Sequence, residues 1–172
     1  MRALFILDAQ KGFQQLKDLS APLSKIKKLA ISLKEQGDLI IGFQHIDDFP
    51  ESVIYSQSSE GELIDEIADI VDLLIEKRYP NPFTETDLQD VLVSHGIKEV
   101  VITGFNSEYC CLFAAITAKD RGYQVTFIED ATDSVNTGDT YEMPNIDIPD
   151  FIGSILNWLG MIEVLYYDAF QC

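Results

Sequence analysis

Short apolar runs recur along this chain and stop abruptly at polar residues. Residues 3–7 are apolar without a break and end at Asp8, the pattern of a central strand closed by a carboxylate. Across residues 22–36, Leu23, Ile26, Leu29, Ala30 and Leu33 share one helical face, and Lys25, Lys27, Lys28 and Lys34 lie elsewhere. Gly37 closes that helix. Residues 39–43 predict a second strand, followed by a polar loop with His45, Asp47, Asp48 and Pro50. Residues 61–68 predict a short helical segment, and 70–75 a third strand that stops at Glu76 and Lys77. Pro80 and Pro82 hold the next stretch out of helix. Residues 86–94 then predict a helix with Leu88, Val91 and Leu92 inward.

The stretch 99–120 organises the rest. Val100, Val101 and Ile102 favour a buried strand, and residues 103–106, with Gly104 among them, break it. Ser107 is a candidate helix N-cap, and Cys111, Leu112, Ala115 and Ala118 then recur at helical spacing until Gly122. Cys110 is thereby placed in a first helical turn. Free N–H groups and a partial positive charge there favour a thiolate and can hold an oxyanion. The bland alternative is a small buried hydrophobe. Residues 124–128 predict a fifth strand ending at Glu129 and Asp130, 133–147 a loop, 149–159 a last helix and 162–166 a sixth strand.

Strands alternating with helices indicate an α/β fold: a three-layer αβα sandwich around a doubly wound sheet of about six mainly parallel strands. The 172 residues are expected to form a single domain. Ligands in such sheets sit beyond the carboxyl ends of the strands. Asp8, Lys77 and Cys110 each follow an apolar strand and so gather at that edge. There, Asp8 can take and return a proton, Lys77 can stabilise a thiolate and orient Asp8, and Cys110 can attack. The Asn106 and Cys110 N–H groups can hold the oxyanion. Taken singly, Asp8 as a turn residue and Lys77 as a solvated lysine are the plainer readings.

Composition narrows the partners. With 29 acidic and 12 basic residues the net charge is −17, which argues against nucleic acid and anionic membrane. Hydrophobic residues make up 47%, enough for a core. No apolar run approaches a membrane span, and the N-terminus lacks the pattern of a signal peptide. Cys110, Cys111 and Cys172 show neither a disulfide framework nor metal-site spacing, so a reduced, cytoplasmic setting is expected.

Three ordered motifs carry a family resemblance. Asp8, Gln10 and Phe13 form the first, Lys77, Phe83, Thr86 and Leu88 the second, and Gly104, Ser107, Cys110 and Thr117 the third. Gly122, Val125, Asp130, Ala131 and Ser134 match the strand that follows. The chain resembles the isochorismatase-like cysteine hydrolases, the superfamily that includes nicotinamidases. The resemblance implies an Asp8–Lys77–Cys110 triad, a covalent cysteine intermediate, six parallel strands and a homo-oligomer. It also implies a cis peptide at Phe105–Asn106 that turns the Asn106 N–H into the site. Gln10, Phe13, Phe83 and Tyr109 are candidate substrate-binding residues.

Departures from the family pattern shape the functional reading. Cys111 stands where the family usually has Val, and Asn81-Pro82 replaces Ser-Ala beside Lys77. Nicotinamidases carry an Asp-x-His pair and a further His for a metal; here the corresponding loop holds His45 as a loop hydrogen-bonder, and the only other histidine is His95. No metal or other cofactor is therefore expected, nor nicotinamide as substrate. Enzymes that cleave isochorismate lack the nucleophilic cysteine, so Cys110 argues against that activity. The leading expectation is a metal-independent cysteine amidohydrolase acting on a small amide, carbamoyl or ureide compound through a thioester. A scaffold protein of the same fold is the alternative. A thiol redox protein using Cys110 and Cys111 lacks the spaced Cys-x-x-Cys such chemistry prefers.

Overall fold

The computed structural model describes residues 1–170, the Leu159 side chain excepted. Cys172 lies outside the described residues. Six strands form one sheet: β1 (Arg2–Leu7), β2 (Leu39–His45), β3 (Leu73–Lys77), β4 (Glu99–Phe105), β5 (Gln124–Asp133) and β6 (Glu163–Leu165). Their order is β3-β2-β1-β4-β5-β6, and every pairing is parallel. The chain winds outward from β1 in one direction and then from β4 in the other. The switch between β1 and β4 is where such a sheet opens a crevice at its carboxyl edge.

Helices cover both faces because the central strands are apolar on both. From β1, Ala3, Phe5 and Leu7 point into one core, and Leu4 and Ile6 into the other. The first core is roofed by α3 (Leu88–Ser94), α4 (Leu112–Asp120) and α5 (Ile148–Leu156). The second is roofed by α1 (Ser20–Glu35), which buries Ile26, Leu29, Ala30 and Leu33, the face read from the sequence. A short α2 (Asp65–Ala68) adds Ile67 to it.

Several elements differ from the sequence reading, and four of the differences have a clear physical reason. The third strand is Leu73–Lys77 rather than 70–75: Ile70 and Val71 instead finish the turn after α2, their N–H groups bonding Ile67 O. As the sheet's edge, β3 alternates, with Leu74 half exposed and Ile75 and Lys77 buried. The fifth strand runs on to Asp133 through a register shift opposite Ile102 and Gly104. Ser107–Cys111 is a single π turn, so Ser107 is not the N-cap; its hydroxyl bonds Thr132 Oγ1 instead. Within the segment read as loop, Gly138–Tyr141 forms a short 3-10 turn.

Candidate active site

Three strand ends converge at the switch point. Asp8 follows β1 with φ +49°, a left-handed geometry that aspartate tolerates better than most residues. Its N–H still bonds Phe43 O on β2, so the backbone turns while remaining tied to the sheet. Lys77 is the last residue of β3. Cys110 rides on the π turn after β4, behind the Phe105–Asn106 peptide, which is cis. Lys77 Nζ lies 2.8 Å from Asp8 Oδ2 and 3.2 Å from Cys110 Sγ. Further contacts reach His45 Nδ1 at 3.3 Å and Tyr79 O at 3.4 Å. Asp8 Oδ1 is buried without a hydrogen-bond partner among the described residues.

Electrostatics set the protonation states. Burial pulls the Lys77 pKa down, but Asp8 and Cys110 outweigh it and the net shift is upward, so the ammonium keeps its charge. Burial, helped by the Asp8 charge, pushes the Cys110 thiol well up against the pull of Lys77. The resting group is a thiol, which corrects the expectation of a thiolate at a helix start. Burial, together with the Lys77 charge, lowers the His45 pKa.

The turn that carries Cys110 is laced to β5 and the segment after it. Asn106 Oδ1 accepts from Val135 N (2.9 Å), and Ser107 Oγ bonds Thr132 Oγ1 (3.0 Å). Glu108 Oε1 accepts from Ser134 Oγ (2.6 Å), Asn136 Nδ2 (2.8 Å) and the Tyr141 hydroxyl (2.8 Å). The Tyr109 hydroxyl meets that of Tyr141 at 3.0 Å. Four consecutive residues before the cysteine are thus fastened to one neighbouring segment. Single-residue patterns do not signal such a network, because its partners lie 25 to 33 positions away.

The other candidates fall in different places. The Gln10 side chain is spent on backbone: it donates to His45 O (3.0 Å) and Gly61 O (2.7 Å) and accepts from His45 N (2.9 Å). Phe13 packs in the α1-side core, on the face opposite Cys110. Phe83 shares the Cys110 cluster, beside Tyr123 and beneath the Arg121 guanidinium, 4.4 Å from its ring centre. Tyr109 is exposed and walls an apolar hollow of about 240 Å³ with Tyr141, Met143 and Phe151. Asn81 Oδ1 ties the lysine loop to α4 by accepting from Thr117 Oγ1 at 3.1 Å. Cys111 is fully buried in the core beneath α4. His45, read as a loop residue, is the last residue of β2 and pairs in register with Lys77. Its signal was the apolar run before it, which continues as strand for two residues beyond Phe43.

The loop after β2 does not fit a nicotinamidase-type metal. Asp8, His45 and Cys110 each bring a ligand atom within 4.8 Å of the others. The Lys77 ammonium, however, contacts all three. A divalent cation among them would sit against a fixed positive charge. Asp47 Oδ1, the nearest carboxylate in the loop sequence, accepts instead from Phe49 N.

Known proteins resemble this chain in sequence and in fold. A nicotinamidase of Arabidopsis thaliana is 36% identical over 87 residues, 49% of this chain and 44% of that protein, so the match spans less than half of that relative. An isochorismatase family protein of Bacillus subtilis is 28% identical over 136 residues, 75% of this chain and 76% of that one. A cysteine hydrolase from Pseudomonas syringae superposes with a TM-score of 0.83 at 18% identity, covering 97% of this chain and 89% of that chain. A pyrazinamidase/nicotinamidase from Streptococcus mutans superposes at 0.78 with 21% identity, covering 96% and 100%. These two share the fold. Residues 2–144 match the family model of the isochorismatase domain, and the chain belongs to the isochorismatase family of hydrolases.

Proposed function

We propose that the protein is a metal-independent cysteine amidohydrolase that cleaves a C–N bond of a small amide, carbamoyl or ureide compound. The observation that carries this reading is the convergence of Asp8 and Cys110 on the buried Lys77 ammonium, at 2.8 and 3.2 Å. As substrate enters, the Cys110 thiol passes its proton to Asp8, whose Oδ1 has no other partner among the described residues. Sulfur bonds the carbonyl carbon, and the Asn106 and Cys110 N–H groups hold the oxyanion. Collapse breaks the C–N bond, and Asp8 returns the proton to the departing amine or ammonia. Asp8 then takes a proton from water as hydroxide adds to the thioester; the second collapse expels the Cys110 sulfur, which recovers the proton, and releases the acid. Throughout, Lys77 neutralises charge shared between Asp8 and sulfur.

Ammonia release from a panel of small amides, carbamoyl compounds and ureides tests the reading. Turnover that disappears in Cys110→Ala, with the fold retained by circular dichroism, is expected; full activity in that variant defeats it. The reading includes a homo-oligomer in a reduced, cytoplasmic setting. The exposed Phe113 and Ile116 of α4 and Phe151 and Ile155 of α5 support self-association through that face. Among the described residues, no helix is long and apolar enough to cross a membrane.

A further inference from the structure

We propose that His45 is a substrate-binding residue whose Nε2–H meets a hydrogen-bond acceptor that the substrate carries beside its scissile carbonyl. The proposal rests on the cysteine-hydrolase reading above and names a feature of the substrate that reading leaves open. Its first support is placement. Gln10 grips both backbone groups of His45, and register sets His45 beside Lys77, so the two side chains project to the same face of the sheet. Ligand atoms of His45, Asp8 and Cys110 come within 4.8 Å of one another. Asp8 and Lys77 are closed off, whereas His45 is half-buried and forms the outer part of the cluster.

Its second support is the tautomer. An ammonium has only protons to offer, so a hydrogen bond across the 3.3 Å between Lys77 Nζ and His45 Nδ1 has the imidazole nitrogen accepting. A neutral ring then carries its proton on Nε2. The ring is neutral at pH 7: burial and Lys77 lower its pKa, Arg78 adds to that, and Asp8 and Asp47 oppose it without prevailing. Lys77 thus fixes the imidazole as a donor toward incoming ligand. Such a donor favours a second carbonyl, a ureido group or a carboxylate. A purely aliphatic amide would leave the N–H unpaired.

Two alkylating probes of matched shape test this without a known substrate. N-(iodoacetyl)urea carries a ureido acceptor; N-isopropyl-iodoacetamide replaces it with methyl groups. Labelling of Cys110 is followed by peptide mass spectrometry, and the rate ratio of the two probes is normalised to the ratio found with glutathione. The normalised ratio is expected to fall about tenfold in His45→Leu and to recover largely in His45→Gln, which restores an N–H donor. A role confined to holding the fold would slow both probes alike; an unchanged ratio overturns the inference and leaves Cys110 as nucleophile standing. Failure of both probes to label Cys110 in the unaltered protein overturns the parent reading, and this inference with it. A measurement without variants adds a second check: 15N shifts must show a protonated Nε2 and a bare Nδ1 on His45. A proton on Nδ1 overturns the proposal.

Discussion

Lys77 Nζ donates to Asp8 Oδ2 over 2.8 Å, and neither side chain reaches solvent. Two charges held this way are stable only while both are present, because each repays the desolvation of the other. Asp8→Asn leaves the ammonium in the core without a counter-charge. The expected loss is about 3–5 kcal/mol, read as a lower urea midpoint at unchanged slope. Adding Lys77→Met removes the stranded charge and is expected to recover more than half of that loss. A double variant as unstable as Asp8→Asn alone would mean that the two charges are not coupled.

Cys110 is a resting thiol, held there by burial and by the neighbouring Asp8 charge. Its iodoacetamide labelling, without substrate, is therefore expected to keep rising with pH beyond 9, where an ordinary cysteine levels off. Lys77→Met removes the group that pulls the other way and should slow labelling further at every pH. A labelling rate that is flat above neutrality would show a preformed thiolate and reverse the assignment.

Much of this arrangement is legible in sequence because parallel strands buried on both faces leave uninterrupted apolar runs. Residues 3–7 ending at Asp8 are the clearest case, and the alternation with helices points to a parallel sheet covered on both faces. Legibility fails where burial is one-sided or where partners are remote. At the edge strand β3, the exposed Leu74 blurs the boundary with Ile70 and Val71. The Gln10 amide reads as a pocket group but is consumed by the backbone of His45, 35 residues away. The π turn at Cys110 depends on the Asn106 carbonyl accepting both the Tyr109 and Cys111 N–H groups, a choice that helical spacing alone does not dictate.

Gly104 has φ +111°, and a Cβ there would lie 2.1 Å from Leu7 O. The obstacle is the backbone of β1 itself, which cannot move without shifting Asp8. Gly104→Ala is expected to cost about 3 kcal/mol or more, combining left-handed strain with the clash. It should also slow Cys110 labelling, because Asp8 and the cysteine turn flank the contact. Thermal unfolding and labelling, measured together, check both parts; a variant as stable as the parent would contradict the close approach.

Glu108 binds three donors through one carboxylate oxygen, and all three belong to residues 134–141. Removing the oxygen frees them at once, whereas Tyr141→Phe removes one. Glu108→Ala is therefore expected to cost about 2 kcal/mol and Tyr141→Phe about 1 kcal/mol. Amide exchange should quicken across 134–141 in both, more in the first. Exchange that rises only in the Ser107–Cys111 turn would place the weak link on the cysteine side instead.

His45 gives a pH signature of stability whose sign is fixed by its surroundings. Burial and the Lys77 charge lower its folded pKa below the value near 6.5 that an unfolded histidine shows. Between those two values the unfolded chain binds the extra proton and the folded one does not, so acid favours unfolding. The contribution is complete above about pH 6.5 and is lost as pH falls through the folded value. His45→Gln has no proton to gain there. The difference in unfolding midpoint between parent and variant should be constant above neutrality and then shift against the parent as the solution is acidified. Carboxylates common to both proteins cancel in that difference, which isolates the imidazole. Parallel curves down to pH 5 would mean that His45 charges freely in the folded protein, and that Lys77 does not act on it.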